Sequence, residues 1–179
     1  MASVLASAAQ TAHAAVSSLL SAAQVKPGAT VSSYPVKEDS PAEPVTPKFE
    51  GKTVILFVPG AFSGTCTGQV PTYIQNAAAF KEKGVKGVYV VAVNDAFAMK
   101  AWKEQLAPGG TEVKFYADDK GQLTGAFGLL FDATAFFGGP RAKRAVVILD
   151  GNTVESVAVE EDPTKVTVTD AKTILANLS

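Results

Sequence analysis

One cysteine, Cys66, and one histidine, His13, stand in this chain of 179 residues. A lone cysteine cannot close an intrachain disulfide, so a disulfide-stapled secreted scaffold is excluded and a reducing, cytoplasmic setting is expected. A Cys/His zinc cluster is excluded as well, because a protein zinc site takes three or four such ligands. Charge of either sign is scarce: 16 basic and 17 acidic residues leave a net charge of -1. That balance carries no electrostatic footprint for nucleic acid. No run of strongly apolar residues approaches the ~18 that a membrane-spanning helix needs. No membrane or nucleic-acid partner is therefore expected. What remains is a globular composition, 47% hydrophobic, long enough for one domain with a proper core.

Residues 1–25 hold no Asp, Glu, Lys or Arg. Val4, Leu5, Ala8, Ala9, Ala12, Ala15, Val16, Leu19, Leu20 and Ala23 recur at helical spacing, with Ser3, Ser7, Gln10, His13, Ser17 and Ser21 opposite. The segment lacks the arginines of a mitochondrial presequence and the basic start and dense apolar middle of a secretory signal. It is expected to form an added helix, packed on the domain or on a second subunit; a poorly ordered tail is the alternative. Residues 26–50 carry Pro27, Pro35, Pro41, Pro44 and Pro47 and read as an extended arm, with Thr30–Val36 a short edge strand.

A domain over 51–179 follows. Thr53–Val58 and Gly87–Val93 are continuous β-rich runs, the mark of buried central strands. Between them Cys66–Lys83 reads as a helix kinked at Pro71. Ala96–Leu106 is amphipathic, with Phe97, Ala98, Ala101, Trp102 and Leu106 on one face. Val113–Tyr116 is a short strand. Asp150-Gly151-Asn152 turns a hairpin between Ala145–Leu149 and Thr153–Val159. Thr169 or Asp170 caps a last helix through Leu178. This order predicts an α/β protein: a thioredoxin-like fold with a central mixed sheet and helices on both faces.

Chemistry concentrates at Pro59-Gly60-Ala61-Phe62-Ser63-Gly64-Thr65-Cys66, which leaves a buried strand and opens a helix. In the first helical turn, unpaired backbone N–H groups and the positive dipole end favour an anion, here a thiolate. Ser63 can place a hydroxyl near the sulfur, and Pro59 stiffens the loop and shields it from water. The plainer reading of a lone cysteine is a small buried hydrophobe; the strand–loop–helix setting argues against it. Other cysteine chemistries fail on residue identity. A Cys–His hydrolase needs an imidazole by the thiol, and His13 sits on the polar face of the N-terminal segment. A dithiol oxidoreductase needs C-x-x-C, but Thr67, Gly68 and Gln69 follow Cys66. A C-x₅-R phosphatase needs arginine where Thr72 stands. The glycine-rich loop lacks the Gly-Lys-Ser/Thr ending of a nucleotide-binding loop.

The octapeptide resembles the peroxiredoxin signature Pro-x-x-x-Thr/Ser-x-x-Cys, with every defining position filled. The resemblance extends to Tyr73-Ile74, to Val91–Phe97 followed by Trp102, and to Lys143-Arg144 entering a strand that ends Asp150-Gly151. It covers roughly residues 50–178 and is strongest to the type II peroxiredoxins. It implies a thiol-dependent peroxidase that reduces hydrogen peroxide and alkyl hydroperoxides without a cofactor. Cys66 would be the peroxidatic residue, Ser63 the hydroxyl donor, Pro59 the shield and Arg144 the arginine of the site. The backbone N–H groups of Gly60 and Cys66 would hold peroxide oxygen. Three departures stand out. The spacing from Cys66 to Pro71 is one position shorter than in most relatives, and the histidine usual in that stretch is missing; both bear on helix register after the cysteine and on contacts to the reductant. A resolving cysteine is missing too, which implies a one-Cys cycle completed by an external thiol, glutathione with glutaredoxin or thioredoxin. A homodimer is also implied, with Phe62, Phe136 and Phe137 as candidate contacts. The alternative function is a non-catalytic thioredoxin-fold redox sensor or interaction module.

Overall fold

The computed structural model describes residues 18–178. Most of the expected N-terminal helix, with His13, lies outside the described residues; inside them 18–20 are helical. The chain then runs over the domain, and Val25 N–H donates to Phe127 O at 3.1 Å. Gly128 makes this approach possible: it has a left-handed φ of 63°, and a Cβ there would lie 2.2 Å from Ala23 O.

A seven-stranded sheet has the order β2 (Pro44–Val45), β1 (Val36–Lys37), β5 (Lys114–Ala117), β4 (Gly87–Ala92), β3 (Lys52–Phe57), β8 (Ala145–Asp150), β9 (Thr153–Val159). Its central strands are β3 (Lys52–Phe57), β4 (Gly87–Ala92) and β5 (Lys114–Ala117), mutually parallel. β8 (Ala145–Asp150) pairs antiparallel with β3, and β9 (Thr153–Val159) with β8. The hairpin turns as expected, with Gly151 at a φ of 55°. The proline-rich arm supplies β1 (Val36–Lys37) and β2 (Pro44–Val45) to the far edge. The expected edge strand over Thr30–Val36 is therefore displaced: Thr30 makes an isolated bridge to Thr153, and sheet pairing begins at Val36. Pro35 explains the late start, since it has no N–H to give a ladder.

The continuous apolar run of β3 is explained by what covers it. Val54, Leu56 and Val58 enter one core layer, while Ile55 and Phe57 enter the other. Both faces of the strand are buried, so the usual alternation with polar residues disappears. The first layer is roofed by α1 (Gly64–Gln75), α2 (Ala77–Glu82), α3 (Ala96–Leu106) and α6 (Ala171–Asn177). The second holds Val31, Val36 and Phe49 of the arm with Leu123, Phe127 and Leu129 from around α4 (Gln122–Ala126).

Two further expectations are corrected, and several short elements are added to them. The helix expected over Cys66–Lys83 is two helices, and the break falls at Asn76 rather than at Pro71. Asn76 leaves helical geometry at φ -98°, ψ 11°, and its Nδ2 donates to Thr72 O at 2.8 Å, a local bond that competes with helix continuation. The inward face of α3 carries Ala96, Met99 and Trp102, whereas Phe97 is 71% exposed and Ala101 is exposed. Asp95 opens the helix by capping Ala98 N–H at 2.9 Å, and the large Met99 and Trp102 side chains take the core. Finally α4, α5 (Thr134–Phe137) and the two-stranded ladder of β6 (Leu130–Asp132) with β7 (Pro140–Ala142) were not foreseen. These pieces are too short to show periodicity. The last helix starts as expected, with Asp170 accepting from Lys172 N–H.

Candidate active site

β3 delivers the chain to the loop 58–63, and α1 carries it away. The loop is tied at both sides: Val58 N–H donates to Val91 O at 3.0 Å, and Ala61 N–H to Asn94 Oδ1 at 3.0 Å. Phe62 adopts a left-handed φ of 61°, a costly geometry for a bulky residue, directly before the helix. Ser63 follows as the N-cap residue in extended geometry, and Thr67 N–H donates to its carbonyl at 2.9 Å. Its hydroxyl makes no capping bond, so it is not consumed by the helix start. Cys66 then falls in the first turn, as expected, and its side chain is fully buried.

Burial alone would suit an inert core thiol. The neighbour of the sulfur decides otherwise. Arg144 leaves the sequence immediately before β8, turns inward and is 2% exposed. Its Nη2 donates to Cys66 Sγ at 3.3 Å, its Nη1 to Gln69 Oε1 at 2.5 Å, and its Nε to Pro163 O at 2.9 Å. A buried guanidinium held by three acceptors is an electrostatic partner for a thiolate. Cys66 and Arg144 are thus brought together. Pro59, Gly60 and Ser63 share the loop beside them, and Arg144 is the side chain that reaches the sulfur.

Gln69 was missed by sequence reasoning, though a signal existed. Cys66, Gln69, Val70 and Tyr73 form one buried stripe on α1, and Gln69 is the amide within it. Its Nε2 donates to Thr169 O at 2.9 Å and to Thr169 Oγ1 at 2.8 Å. Two acceptors on one side and a guanidinium on the other admit a single amide orientation, with Oε1 toward Arg144. α1 runs on through Pro71 as one α-helix and sets Gln69 one turn beyond the thiol. Tyr73 Oη also donates to Thr169 O, at 2.6 Å, and its ring stacks on Phe80. Burial drives the Tyr73 hydroxyl far above the ordinary tyrosine range, so it remains a donor. On the other flank Trp102 Nε1 donates to Thr67 Oγ1 at 3.2 Å, which locks α1 against α3.

Arg141, three positions before Arg144, does not lie on the solvated surface that a run of basic residues usually occupies. It is instead half-buried: Nη1 donates to Val93 O, Nη2 to Phe137 O at 3.2 Å, and the guanidinium lies over the Phe137 ring at 5.2 Å. Burial lowers its pKa from the ordinary arginine value. The Phe137 ring in turn packs close to Gly60, where a Cβ would stand 3.1 Å from Cε1. Arg141 thereby braces the wall of the loop without touching the thiol. Phe62, Phe136 and Phe137 are exposed, Phe136 by 88%.

A thioredoxin-like sheet that presents one helix-borne thiol to a buried guanidinium defines a cysteine-based redox enzyme. Comparison with known proteins narrows this. The Redoxin family model matches residues 32–175. Peroxisomal membrane associated protein 20 of Schizosaccharomyces pombe is 40% identical over 152 residues, covering 84% of this chain and 97% of that one. The mitochondrial peroxiredoxin-2F of Arabidopsis thaliana is 38% identical over 137 residues, covering 75% and 68%. The crystal structure of reduced Prx3 from Vibrio vulnificus in complex with hydrogen peroxide superposes with a TM-score of 0.77 at 36% identity, covering 87% of this chain and 96% of that one. The chain belongs to the Redoxin family and is a peroxiredoxin of the type II kind, a thiol peroxidase.

Proposed function

We propose that Cys66 runs a one-Cys peroxidase cycle on hydrogen peroxide and alkyl hydroperoxides. The observation that carries this reading is the Arg144 guanidinium on the Cys66 sulfur in a chain with one cysteine. The thiolate attacks the terminal oxygen of R–O–O–H. An S–O bond forms, the O–O bond breaks, and the leaving alkoxide takes up a proton to depart as alcohol, or as water from hydrogen peroxide. Cys66 is left as a sulfenic acid. Charge that develops on both oxygens is stabilised by Arg144, by the Ser63 hydroxyl and by the N–H groups of Gly60 and Cys66, while Pro59 keeps water out. Such preorganised donors are usually the largest catalytic contribution.

No second cysteine is available to capture the sulfenic acid. An external thiol therefore condenses with it, releasing water and forming a mixed disulfide that a second thiol resolves. Glutathione with glutaredoxin, or thioredoxin, fits this requirement. The exposed Phe62, Phe136 and Phe137 beside the loop support a homodimer that covers them. A reducing compartment, the cytoplasm, agrees with a free thiol as the working state; among the relatives, the Schizosaccharomyces pombe protein is peroxisomal membrane associated and the Arabidopsis thaliana peroxiredoxin-2F is mitochondrial. Imaging a fluorescent fusion of the full chain checks the compartment.

The deciding experiment is peroxide consumption at steady state with an added thiol. Multiple turnovers per Cys66 are expected. A redox sensor would consume one equivalent and stop, and that result would replace the peroxidase reading.

A further inference from the structure

Arg144 does not hold its place unaided. Two of its three contacts run to one segment, the loop 160–169 between β9 and α6. Pro163 O takes Nε directly, and Thr169 fixes Gln69, which takes Nη1. The same loop reaches α1 through Thr65 Oγ1, which donates to Thr164 O at 3.4 Å, and through Tyr73. What shapes that loop is Glu160. Its backbone N–H donates to Arg144 O at 3.0 Å, so the two residues face each other just beyond the paired ends of β8 and β9. Its carboxylate turns the other way, into the loop. Oε1 accepts from Thr167 N at 2.6 Å, Thr169 N at 2.9 Å and Thr169 Oγ1 at 2.8 Å, and Oε2 accepts from Thr167 Oγ1 at 2.6 Å. Glu160 is 7% exposed. Burial pushes its carboxyl up, but these hydrogen bonds outweigh burial and hold it below the ordinary glutamate value.

We propose that Glu160 is a positioning residue for the peroxidatic thiol, acting through Thr169 and Gln69 on Arg144. The inference rests on the peroxidase reading of Cys66. The link is directional. The carboxylate accepts the hydrogen bond of the Thr169 hydroxyl, which turns the lone pairs of that oxygen toward Gln69 Nε2. The amide then presents Oε1, and only Oε1, to the guanidinium. Charge-assisted bonds of this sort polarise one another along a chain. Without the carboxylate, four donors in the loop lose their acceptor, the loop opens, and Arg144 loses both supports that aim it at the sulfur.

Substitution separates positioning from bulk stability. Glu160→Gln keeps the shape: its oxygen serves the three donors of Oε1, and its amide donates to Thr167 Oγ1, which turns to accept. Glu160→Ala keeps nothing. The measurements are the second-order rate of Cys66 oxidation by hydrogen peroxide, per folded molecule, and the ultraviolet absorbance of the thiolate at neutral pH. Glu160→Ala should slow oxidation by about tenfold or more and diminish the thiolate signal, since it misplaces a transition-state donor. Glu160→Gln should stay within about threefold of wild type, as expected when each neutral hydrogen bond replaces a charged one in place. Should Glu160→Ala not fold, Thr169→Val removes the relaying hydroxyl while keeping the carbonyl, and should slow oxidation in the same direction. A folded Glu160→Ala, or in its place Thr169→Val, with wild-type rate and thiolate signal overturns the role of Glu160 alone. Wild-type protein that forms no sulfenic acid with peroxide overturns that role together with the peroxidase reading.

Discussion

Arg144 Nη2 stands 3.3 Å from Cys66 Sγ although 78 positions separate the two residues. The first strand of the site, β3, pairs with β8 so that Phe57 lies opposite Ala145. The ends of those strands therefore meet, and the loop after Phe57 and the residue before Ala145 share one corner. Arg144→Lys keeps a charge there but loses the planar fork that serves Cys66, Gln69 and Pro163 together. Oxidation of Cys66 should slow by an amount equal to roughly 2–4 kcal/mol of barrier. Lys143→Arg should change little. Stopped-flow oxidation of each variant checks this, and an unchanged rate for Arg144→Lys would remove that residue from the site.

Cys66→Ser should abolish turnover and leave the fold intact, because the two side chains are nearly isosteric. In the wild-type protein, one equivalent of peroxide should leave a sulfenic acid or, with thiol present, a mixed disulfide. A Cys66–Cys66 dimer should be minor, since the sulfur is fully buried and meets a twin poorly. Intact mass spectrometry distinguishes the products, and a dominant disulfide-linked dimer would contradict the burial argument.

Gln69→Glu isolates the amide's donor role. The new carboxylate can still accept from Arg144, but its second oxygen faces the carbonyl and hydroxyl oxygens of Thr169. Loss of stability of about 1–3 kcal/mol is expected from unpaired buried acceptors. Urea unfolding reads this directly, and a variant as stable as wild type would show that the loop accommodates a different amide orientation.

Asp118 gives stability a pH dependence of defined sign. It is buried and accepts from Leu123 N–H at 3.2 Å and Thr124 N–H at 2.7 Å, opening α4. Burial raises its pKa above the ordinary aspartate value, with the hydrogen bonds opposing. The native state then binds more protons than the unfolded chain between the ordinary and the raised value, so stability falls as pH rises through that window. Asp118→Asn removes the titrating carboxyl and should remove this slope. Thermal unfolding across the carboxylate range compares the two, and an unaltered slope in the variant would assign it to other groups.

The exposed Phe136 makes the dimer testable. Phe136→Asp places a charge on the apolar rim, where burying it against a second copy would be costly. Sedimentation should show the reduced wild-type protein as a dimer at micromolar concentration, and the variant shifted to monomer. A monomeric wild type would leave the rim without that partner.

Much of the site was legible because its chemistry is local. Pro59, Gly60, Ser63 and Cys66 occupy one short loop between a buried strand and a helix, and the helix start favours an anion whatever the rest of the chain does. The hairpin at Asp150-Gly151 and the central strands were equally local, written in turn residues and apolar runs. Arg144 could be singled out through its place in the resemblance and its entry into a strand. Its neighbours Arg141 and Lys143 differ from it in ways that composition does not express.

The remainder was decided by tertiary structure. Gln69 and Thr169 lie 100 positions apart, and nothing in either neighbourhood announces the other. Their contact exists because β9 returns along β8 and the loop 160–169 folds back over α1. Arg141 reads as a surface charge until α5 and the β6–β7 ladder carry it under Phe137 and onto Val93. Phe97 belongs to the apolar stripe of α3 by spacing, yet it is exposed and Met99 takes the core instead. Local propensity and spacing determined which elements form and where the thiol sits. Which polar groups meet in the buried interior, and so which of them orient the arginine, depended on how those elements close upon one another.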